Sequence, residues 1–169
     1  MEFIKVVKNR RSNRFLSSEK LNKNDIEYML EVAEQAPVAL GNYHNIKLLV
    51  IQGETLKKLQ KRFVELNGRD NTFGGSVLIV ILHKGTYELI ANQDAGIIGE
   101  HICLAATELN IGNVYLHSIV DMMNTDSYIK NDLLNIESEF LVMCGVILGK
   151  KTSDQTRNVA HKFDRKYFD

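Results

Sequence analysis

The sequence is short of the residues that would build a disulfide framework or a zinc site. Its two cysteines, Cys103 and Cys144, form no CxxC pair and stand in apolar surroundings typical of a protein core. Tryptophan is absent and Pro37 is the single proline, so Pro37 marks a special position. No apolar run approaches the roughly 20 residues that cross a bilayer, so no membrane partner is expected. Lys5 and Lys8 interrupt the N-terminus, which lacks the apolar core of a secretory signal, and we expect a cytosolic protein.

Neither sign of charge is in excess. The chain has 21 Lys and Arg residues and 21 Asp and Glu residues, so its formal net charge at pH 7 is zero. Proteins that bind nucleic acid through its phosphates usually carry a basic excess, so this balance argues against a nucleic-acid partner. A chain of 169 residues is most simply one domain.

Alternating helix and strand patterns predict a single α+β domain, residues 1–169, in which helices are layered on a sheet. The clearest strand is Ser76–Leu82, whose β-branched and apolar residues indicate a central strand covered on both faces. The longest helix is predicted from about Thr86 to Asn110, and Gly112 is expected to end it in a left-handed turn. Because this helix is apolar on many sides, it is either central or at a subunit interface. Its small residues would let another helix pack close: Ala91, Ala95, Gly96 and Gly99.

The remaining patterns are shorter. A helix capped by Asn22 or Asn24 should end before Pro37. Further helices are predicted at Phe3–Val7, at Thr55–Leu66 and from Asn124 or Thr125 to Leu134, buried strands at Ile46–Ile51, Val114–Ile119 and Phe140–Leu148, and an irregular link at Phe15–Lys20.

The side chains that usually carry catalysis do not form a recognisable set. The five histidines are scattered without metal-ligand spacing, so no metal site is predicted. Ser12 lies in no GxSxG elbow, and Asp94 and Glu100 are poorly spaced on the predicted helix for paired acid–base work. A cofactor that supplies the chemistry itself would account for this absence.

A basic stretch stands near the N-terminus, where Arg10, Arg11 and Arg14 surround Ser12. The planar donor fork of Arg suits phosphate oxygens, so these side chains could surround one terminal phosphate. Taken alone, the stretch is also explained by a solvated basic face or a weak contact with nucleic acid.

Three stretches, in this order, resemble motifs of the nitroreductase family of FMN-dependent flavoproteins. Arg10–Arg14 resembles the family's RRSxR motif. Ala36–Asn45 resembles AP(S/T)xxNxQPW, although it contains an extra residue, Leu40, and has no Gln-Pro-Trp. Glu100–Gly112 resembles ENLLLAAxxLGLG, with His101 in place of Asn. The likeness spans almost the whole chain and implies a mixed, mainly antiparallel sheet flanked by helices, in a homodimer.

The resemblance also implies a set of FMN-binding residues. The phosphate and ribityl chain would be held by Arg10, Arg11, Ser12 and Arg14. The isoalloxazine ring would be lined by Pro37, Val38, Ala39, Leu40 and Asn42. Gly112 and Asn113 would approach the ring from its other side. Lys162 and Arg165 would add positive charge at the phosphate, although a solvated basic end explains them equally well.

The function implied by the resemblance is an FMN-dependent oxidoreductase that takes hydride from NADH or NADPH. Its acceptor would be a small oxidised molecule such as a nitroaromatic compound or a quinone, and the catalytic atom would be flavin N5 rather than a side chain. Two other functions stay open. One is a flavin- or nucleotide-binding protein without turnover, a sensor or carrier. The other is a small nucleic-acid-binding domain that uses the basic stretch.

Overall fold

The computed structural model describes residues 2–84, 88–153 and 163–168. Its helices are α1 (Phe3–Asn9), α2 (Lys23–Glu34), α3 (Gly53–Asn67), α4 (Glu88–Glu108) and α5 (Val120–Thr125). Its strands are β1 (Leu16–Ser17), β2 (Ile46–Gln52), β3 (Val77–His83), β4 (Gly112–Leu116) and β5 (Leu141–Lys151). Single turns of 3₁₀-helix cover Ala39–Gly41 and Tyr43–Asn45, and a π-helical turn covers Tyr128–Leu133.

The strands form one antiparallel sheet with β5 as its hub. Strand β5 pairs with β3, β4 and β1, and β2 pairs with the other side of β3. Helices flank this sheet, so the predicted α+β class with a mainly antiparallel sheet is confirmed. The described residues contain no helix long and apolar enough to span a membrane.

Strand β3 is buried along its whole length, as its composition predicts. Its alternate side chains enter two different cores because successive residues of a strand point to opposite faces. Ile79 packs in the core that α2 and α4 cover, and Leu78 packs in the core that α3 and α5 cover. Full burial of each such side chain contributes about 1.5–3 kcal/mol.

Strand β2 corrects one prediction. Ile46–Ile51 was expected to be a buried strand, but only Ile51 is buried, and Val50 is exposed. The reason is position: β2 pairs with β3 alone and lies at the edge of the sheet. An apolar run does not by itself distinguish an edge strand from a central one.

The segment after α4 corrects a second prediction. The left-handed residue that ends the helix is Asn110, with φ 59°, and Gly112 instead opens β4. Asn tolerates this conformation better than most residues do. Gly112 is needed for a different reason, because a Cβ there would come within 2.5 Å of Leu16 Cδ2.

Three further boundaries differ from expectation. The link Phe15–Lys20 contains the short strand β1, and β4 ends at Leu116 rather than Ile119.

Asn124 lies inside α5 instead of opening a helix. Its side-chain amide donates to Val142 O and accepts from Val142 N, both at 2.9 Å, where β5 bulges against β3.

Helix α4 is central to the protomer. It contacts β3, β4 and β5 as well as α1 and α2. Ala91 and Ala95 are buried in the core between α4 and the sheet. A Cβ on Gly99 would come within 2.7 Å of Tyr115 Cε2, whereas a Cβ on Gly96 would meet nothing within 4 Å. The small residues predicted to receive another helix therefore serve mainly the packing of α4 on its own sheet.

The two glycines of α4 give a matched test of this packing. Gly99→Ala places a methyl group against the ring of Tyr115, and we expect it to lower the free energy of unfolding by about 1–3 kcal/mol. Gly96→Ala enters open space, so the better helix propensity of Ala should raise that free energy by about 0.5–1 kcal/mol. Urea denaturation measures both changes. Equal stabilities for the two variants would contradict the contact between α4 and Tyr115.

Candidate functional site

The basic stretch begins where α1 ends. Arg10 leaves the helical conformation with ψ 128°, and its amide donates to Val6 O at 2.9 Å. Val6 is the buried residue of α1, while Phe3, Ile4 and Val7 are exposed. The helix is therefore held to the protein by one side, and an apolar side faces outward.

The guanidinium of Arg10 lies on α4. Its Nη2 is 3.1 Å from Glu100 Oε2, and the Arg10 side chain is 24% exposed. Its Nε is buried and has no hydrogen-bond partner. Most buried donors in proteins are paired, so the contact with Glu100 does not use all the donors of Arg10.

The next residues of the stretch are fixed to the start of β4. Ser12 forms a parallel bridge with Asn113. The Asn13 amide donates to Asn113 O at 2.9 Å, and the Asn113 amide donates to Asn13 Oδ1 at 3.3 Å. Both Asn side chains are buried. The backbone around Ser12 is thus held in one position against Gly112–Asn113.

Asn113 also connects the stretch to α4. Its Nδ2 donates to Thr107 Oγ1 at 3.2 Å and to Ile111 O at 3.3 Å, and Thr107 Oγ1 donates to Cys103 O at 2.7 Å. Buried polar groups are costly unless they are hydrogen-bonded. This chain of bonds therefore fixes the spacing between the basic stretch, the last turns of α4 and β4.

The rest of the stretch reaches the surface. Arg11 and Ser12 are half-buried, as Arg10 is, and Arg14 is exposed. The guanidinium carbon of Arg14 lies 6.0 Å from the centre of the Phe73 ring. The stretch therefore presents hydrogen-bond donors at the protein surface, on a backbone that is held in place by its bonds to β4.

The loop that contains Pro37 adopts an unusual backbone. Pro37 is exposed, and Val38, Ala39 and Asn42 are half-buried. Leu40 and Gly41 are both left-handed, with φ 56° and 67°, and Leu40 is 91% exposed. A left-handed conformation costs a residue such as Leu about 1–2 kcal/mol. The loop therefore presents a strained turn whose apolar tip points away from its own domain.

One hydrogen bond ties this turn to α4. The Ala39 amide donates to Asp94 Oδ1 at 3.1 Å. An apolar cavity of about 420 Å³ lies beside the turn, between α2, β2 and α4. Its lining includes Val38, Tyr43 and Ile98.

The two candidate segments are thus anchored at different places on the same helix. Asp94 holds the turn and Glu100 contacts Arg10. Six residues of α-helix correspond to about 9 Å along the axis and about 120° around it. Asp94 and Glu100 therefore hold their segments at separate places along and around α4. The structure does unite the basic stretch with Gly112 and Asn113.

The thiols near Arg10 are not nucleophiles. Burial raises the pKa of Cys103 from 9.0 to about 12, an effect that Arg10 opposes and Glu100 increases. Burial also raises the pKa of Cys144 to about 11. Thiolates rather than thiols react, so the core role predicted for both cysteines is the one that their surroundings support.

The remaining candidates lie in the tail. Arg165 is exposed within residues 163–168, and Lys162 lies outside the described residues. Across the described ranges, no group of three or more His, Cys, Asp and Glu side chains could hold a metal ion.

Several residues that shape the site were not among the predicted ones. Asp94, Asn13 and Thr107 are buried polar residues that support the candidate segments from below. Their sequence signal is weak, because each is one polar residue within a largely apolar or a basic run. Their partners are distant in sequence, 55 residues for Asp94 and 100 for Asn13.

The structure combines an antiparallel α+β domain with an Arg-rich segment that is held in place against β4. Comparisons with known proteins then identify the family. The sequence profile of the nitroreductase family matches residues 7–71. A protein of Archaeoglobus fulgidus, assigned by its name to the NADH dehydrogenase/NAD(P)H nitroreductases, is 35% identical over 126 residues, which are 68% of this chain and 67% of that protein. The chain belongs to the nitroreductase family.

Solved structures confirm the fold. A nitroreductase of Bacteroides fragilis with bound FMN superposes with a TM-score of 0.86 at 18% identity and covers 100% of both chains. A nitroreductase of Desulfitobacterium hafniense with bound FMN superposes with a TM-score of 0.82 at 22% identity, covering 100% of this chain and 99% of the other.

The raised pKa of the buried Cys103 thiol predicts how the free energy of unfolding depends on pH. In the unfolded chain it loses its proton near its ordinary pKa of 9.0, whereas the folded protein keeps the proton up to a pKa of about 12. Above pH 9 the unfolded state therefore binds fewer protons, and the free energy of unfolding falls by about 1.4 kcal/mol per pH unit. Between about pH 8 and pH 10, the wild type should lose about 1 kcal/mol more than Cys103→Ala, as measured by urea denaturation. An equal loss in both proteins would show that Cys103 does not carry this effect.

Proposed function

We propose that this protein is an FMN-dependent oxidoreductase that passes electrons from NADH or NADPH to a small oxidised acceptor. The observation that carries the proposal is the basic stretch, in which three Arg side chains surround Ser12 on a backbone that is hydrogen-bonded to Asn113. The names of the Archaeoglobus fulgidus relative and of the two FMN-bound structures support the same activity.

The residues present fit the phosphate of FMN. Arg10, Arg11 and Arg14 supply charge and forked donors, and Ser12 supplies a hydroxyl on a backbone that is held in place. Lys162 and Arg165 are proposed to add charge from the tail. Phosphate binding would place an anion beside the Arg10–Glu100 pair, so we expect Arg10 to divide its donors between Glu100 and the phosphate.

Contacts to the isoalloxazine ring are proposed for the turn and for the start of β4. The turn offers backbone groups and apolar side chains, and its members are Pro37, Val38, Ala39, Leu40 and Asn42. Gly112 and Asn113 are proposed to approach the ring from its other side. Bound FMN would supply the hydride chemistry at its N5, and this chain would bind the ring, orient it and exclude water from it.

We also propose that the protein is a homodimer with FMN at the subunit interface. Helix α1 exposes Phe3, which is 73% exposed, and Ile4, and α4 exposes Leu89. Large apolar side chains left exposed on two helices that contact each other are candidates for such an interface. The separation of the Pro37 loop from the basic stretch around α4 supports the same arrangement, because a second copy could bring its own turn to the phosphate-binding segment.

The acceptor belongs to a class rather than to a known compound. Nitroaromatic compounds, quinones and related oxidised molecules accept electrons from reduced flavins. A flavin- or nucleotide-binding protein without turnover is the second candidate, favoured by the extra residue Leu40 and its strained conformation in the proposed ring-binding turn. Anaerobic mixing with NADH and with NADPH separates the two. Loss of the oxidised flavin absorption supports the enzyme, and a bound flavin that stays oxidised with both donors supports the binding protein.

The phosphate anchor leads to a direct prediction. Arg10→Ala and Arg14→Ala should each weaken FMN binding about 10-fold or more, because each removes charge-assisted hydrogen bonds worth about 1.5–3 kcal/mol. Quenching of FMN fluorescence on titration with protein measures the dissociation constant, and a thermal melt checks that the domain stays folded.

Lys8→Ala is the matched control. Lys8 is exposed in the last turn of α1, directly before the basic stretch, and is not assigned to the phosphate. Its loss should change FMN affinity less than about threefold, as expected of an exposed charge. Equal losses for Lys8→Ala and Arg10→Ala would indicate a general basic surface instead of an anchor, and unchanged affinity in both Arg variants would remove the anchor altogether.

The dimer has its own test. Phe3→Glu should shift the protein from dimer to monomer in sedimentation velocity, because it places a charge within the proposed apolar interface. Val64→Glu is the control, since Val64 is an exposed apolar residue of α3, on the opposite layer of the sheet. A wild-type protein that sediments as a monomer at all concentrations would refute the homodimer.

A further inference from the structure

We infer that Asp94 is a positioning residue, whose buried carboxylate holds the Ala39–Gly41 turn in the conformation that contacts the flavin ring. The inference rests on the proposed function, and it adds a residue that neither the motifs nor the family comparison assigns to the site.

The geometry places Asp94 directly beneath the turn. Asp94 is 4% exposed and lies on the side of α4 that is buried in the core. Its Oδ1 accepts the Ala39 amide at 3.1 Å, a bond that spans 55 residues of sequence. Its Oδ2 lies 3.9 Å from His83 Nε2 at the end of β3.

The turn needs such a tie because its own bonds are few. The Gly41 amide donates to Val38 O at 3.0 Å and the Asn42 amide donates to Ala39 O at 3.2 Å. These bonds lie within the turn and do not fix it to the domain. Leu40 is left-handed, and in a residue other than glycine this conformation persists only where the surroundings enforce it.

The carboxylate is suited to this task. A hydrogen bond from an amide to an ionised acceptor is stronger than one between neutral groups. The side chains of Asp94 and His83 are both less than one-tenth exposed, so burial limits the access of competing water to the acceptor. The far end of the loop is tied separately, because the Lys84 amide donates to Asn45 O at 2.9 Å. Asp94 and Lys84 thus hold the two ends of the segment that carries Leu40.

Asp94→Ala removes the hydrogen bond between the turn and α4 by removing its acceptor on the helix. Hydrogen exchange measured on the full chain without added FMN should show faster exchange at Ala39, Gly41 and Asn42 than in the wild type. The dissociation constant for FMN should rise about 10-fold, as for loss of a charge-assisted hydrogen bond. The visible circular dichroism of the FMN-loaded variant should change as well, since it reports how the protein holds the ring.

Asp94→Asn is the conservative variant. Its amide oxygen can still accept from Ala39, so exchange in the turn and FMN affinity should stay within about threefold of the wild type. A residue that served only the stability of the core would lower the melting temperature without this pattern of loss and rescue. Asp121→Asn, on the short helix α5, is a control for the loss of a carboxylate elsewhere.

Ala39→Pro removes the same bond from the turn side, which keeps the test possible if Asp94→Ala does not fold. Proline has no amide hydrogen, and it is tolerated in the first turn of a helix. Val38 already has φ −119° and ψ 137°, the extended conformation that precedes proline most readily. Ala39→Pro should therefore weaken FMN binding about as much as Asp94→Ala does, and the double variant should lose little more than either single one.

The outcomes separate this inference from the function on which it rests. Wild-type protein that binds no FMN would overturn both. FMN binding that is unchanged in Asp94→Ala and Ala39→Pro would overturn the positioning role alone. Unchanged hydrogen exchange in the turn of Asp94→Ala would also overturn it. Faster exchange together with weaker binding, and rescue of both by Asp94→Asn, would establish it.

Discussion

The burial of α4 against the sheet is the constraint on which the rest of the structure depends. The helix contacts three strands and two other helices, and its inner side chains share one core with β3 and β5. Gly99 lets the ring of Tyr115 approach the helix axis. A helix held this firmly cannot shift without opening the core, because protein interiors are closely packed. A segment that is hydrogen-bonded to α4 is therefore held in a fixed position relative to the core.

Polar side chains on the buried parts of α4 and β4 connect this rigid centre to the candidate site. A buried carboxylate or amide is costly unless it finds partners. The carboxylate of Asp94 accepts from the amide of Ala39 and fixes the turn. The side chain of Asn113 donates to Thr107, and the backbone of Asn113 bonds to Asn13 and fixes the basic stretch. Both segments carry proposed FMN contacts. The stability of the core and the geometry of the site are thus parts of one network.

The strong local patterns were sufficient to predict much of the fold. β3 was predicted correctly from its continuous β-branched and apolar run, and α3 because its apolar residues repeat at helical spacing. The errors arose where the answer depends on a neighbour that is distant in sequence. Nothing in Ile46–Ile51 shows that β2 has a partner on one side only. Gly112 suits a helix end equally well. The structural reason for a glycine at this position is the side chain of Leu16, which lies 96 residues away in the sequence.

The residues of the candidate site also fall into two groups, those that the sequence predicts and those that only the structure reveals. The residues of the basic stretch and of the Pro37 loop could be named from the sequence, because short motifs carry them. Their supports could not, since Asp94 and Asn13 are single polar residues whose roles depend on contacts across the fold. For chemistry supplied by a cofactor, the protein contributes mainly position, and small displacements of a bound ring have large effects on rate. The buried supports are therefore as informative about function as the exposed motifs.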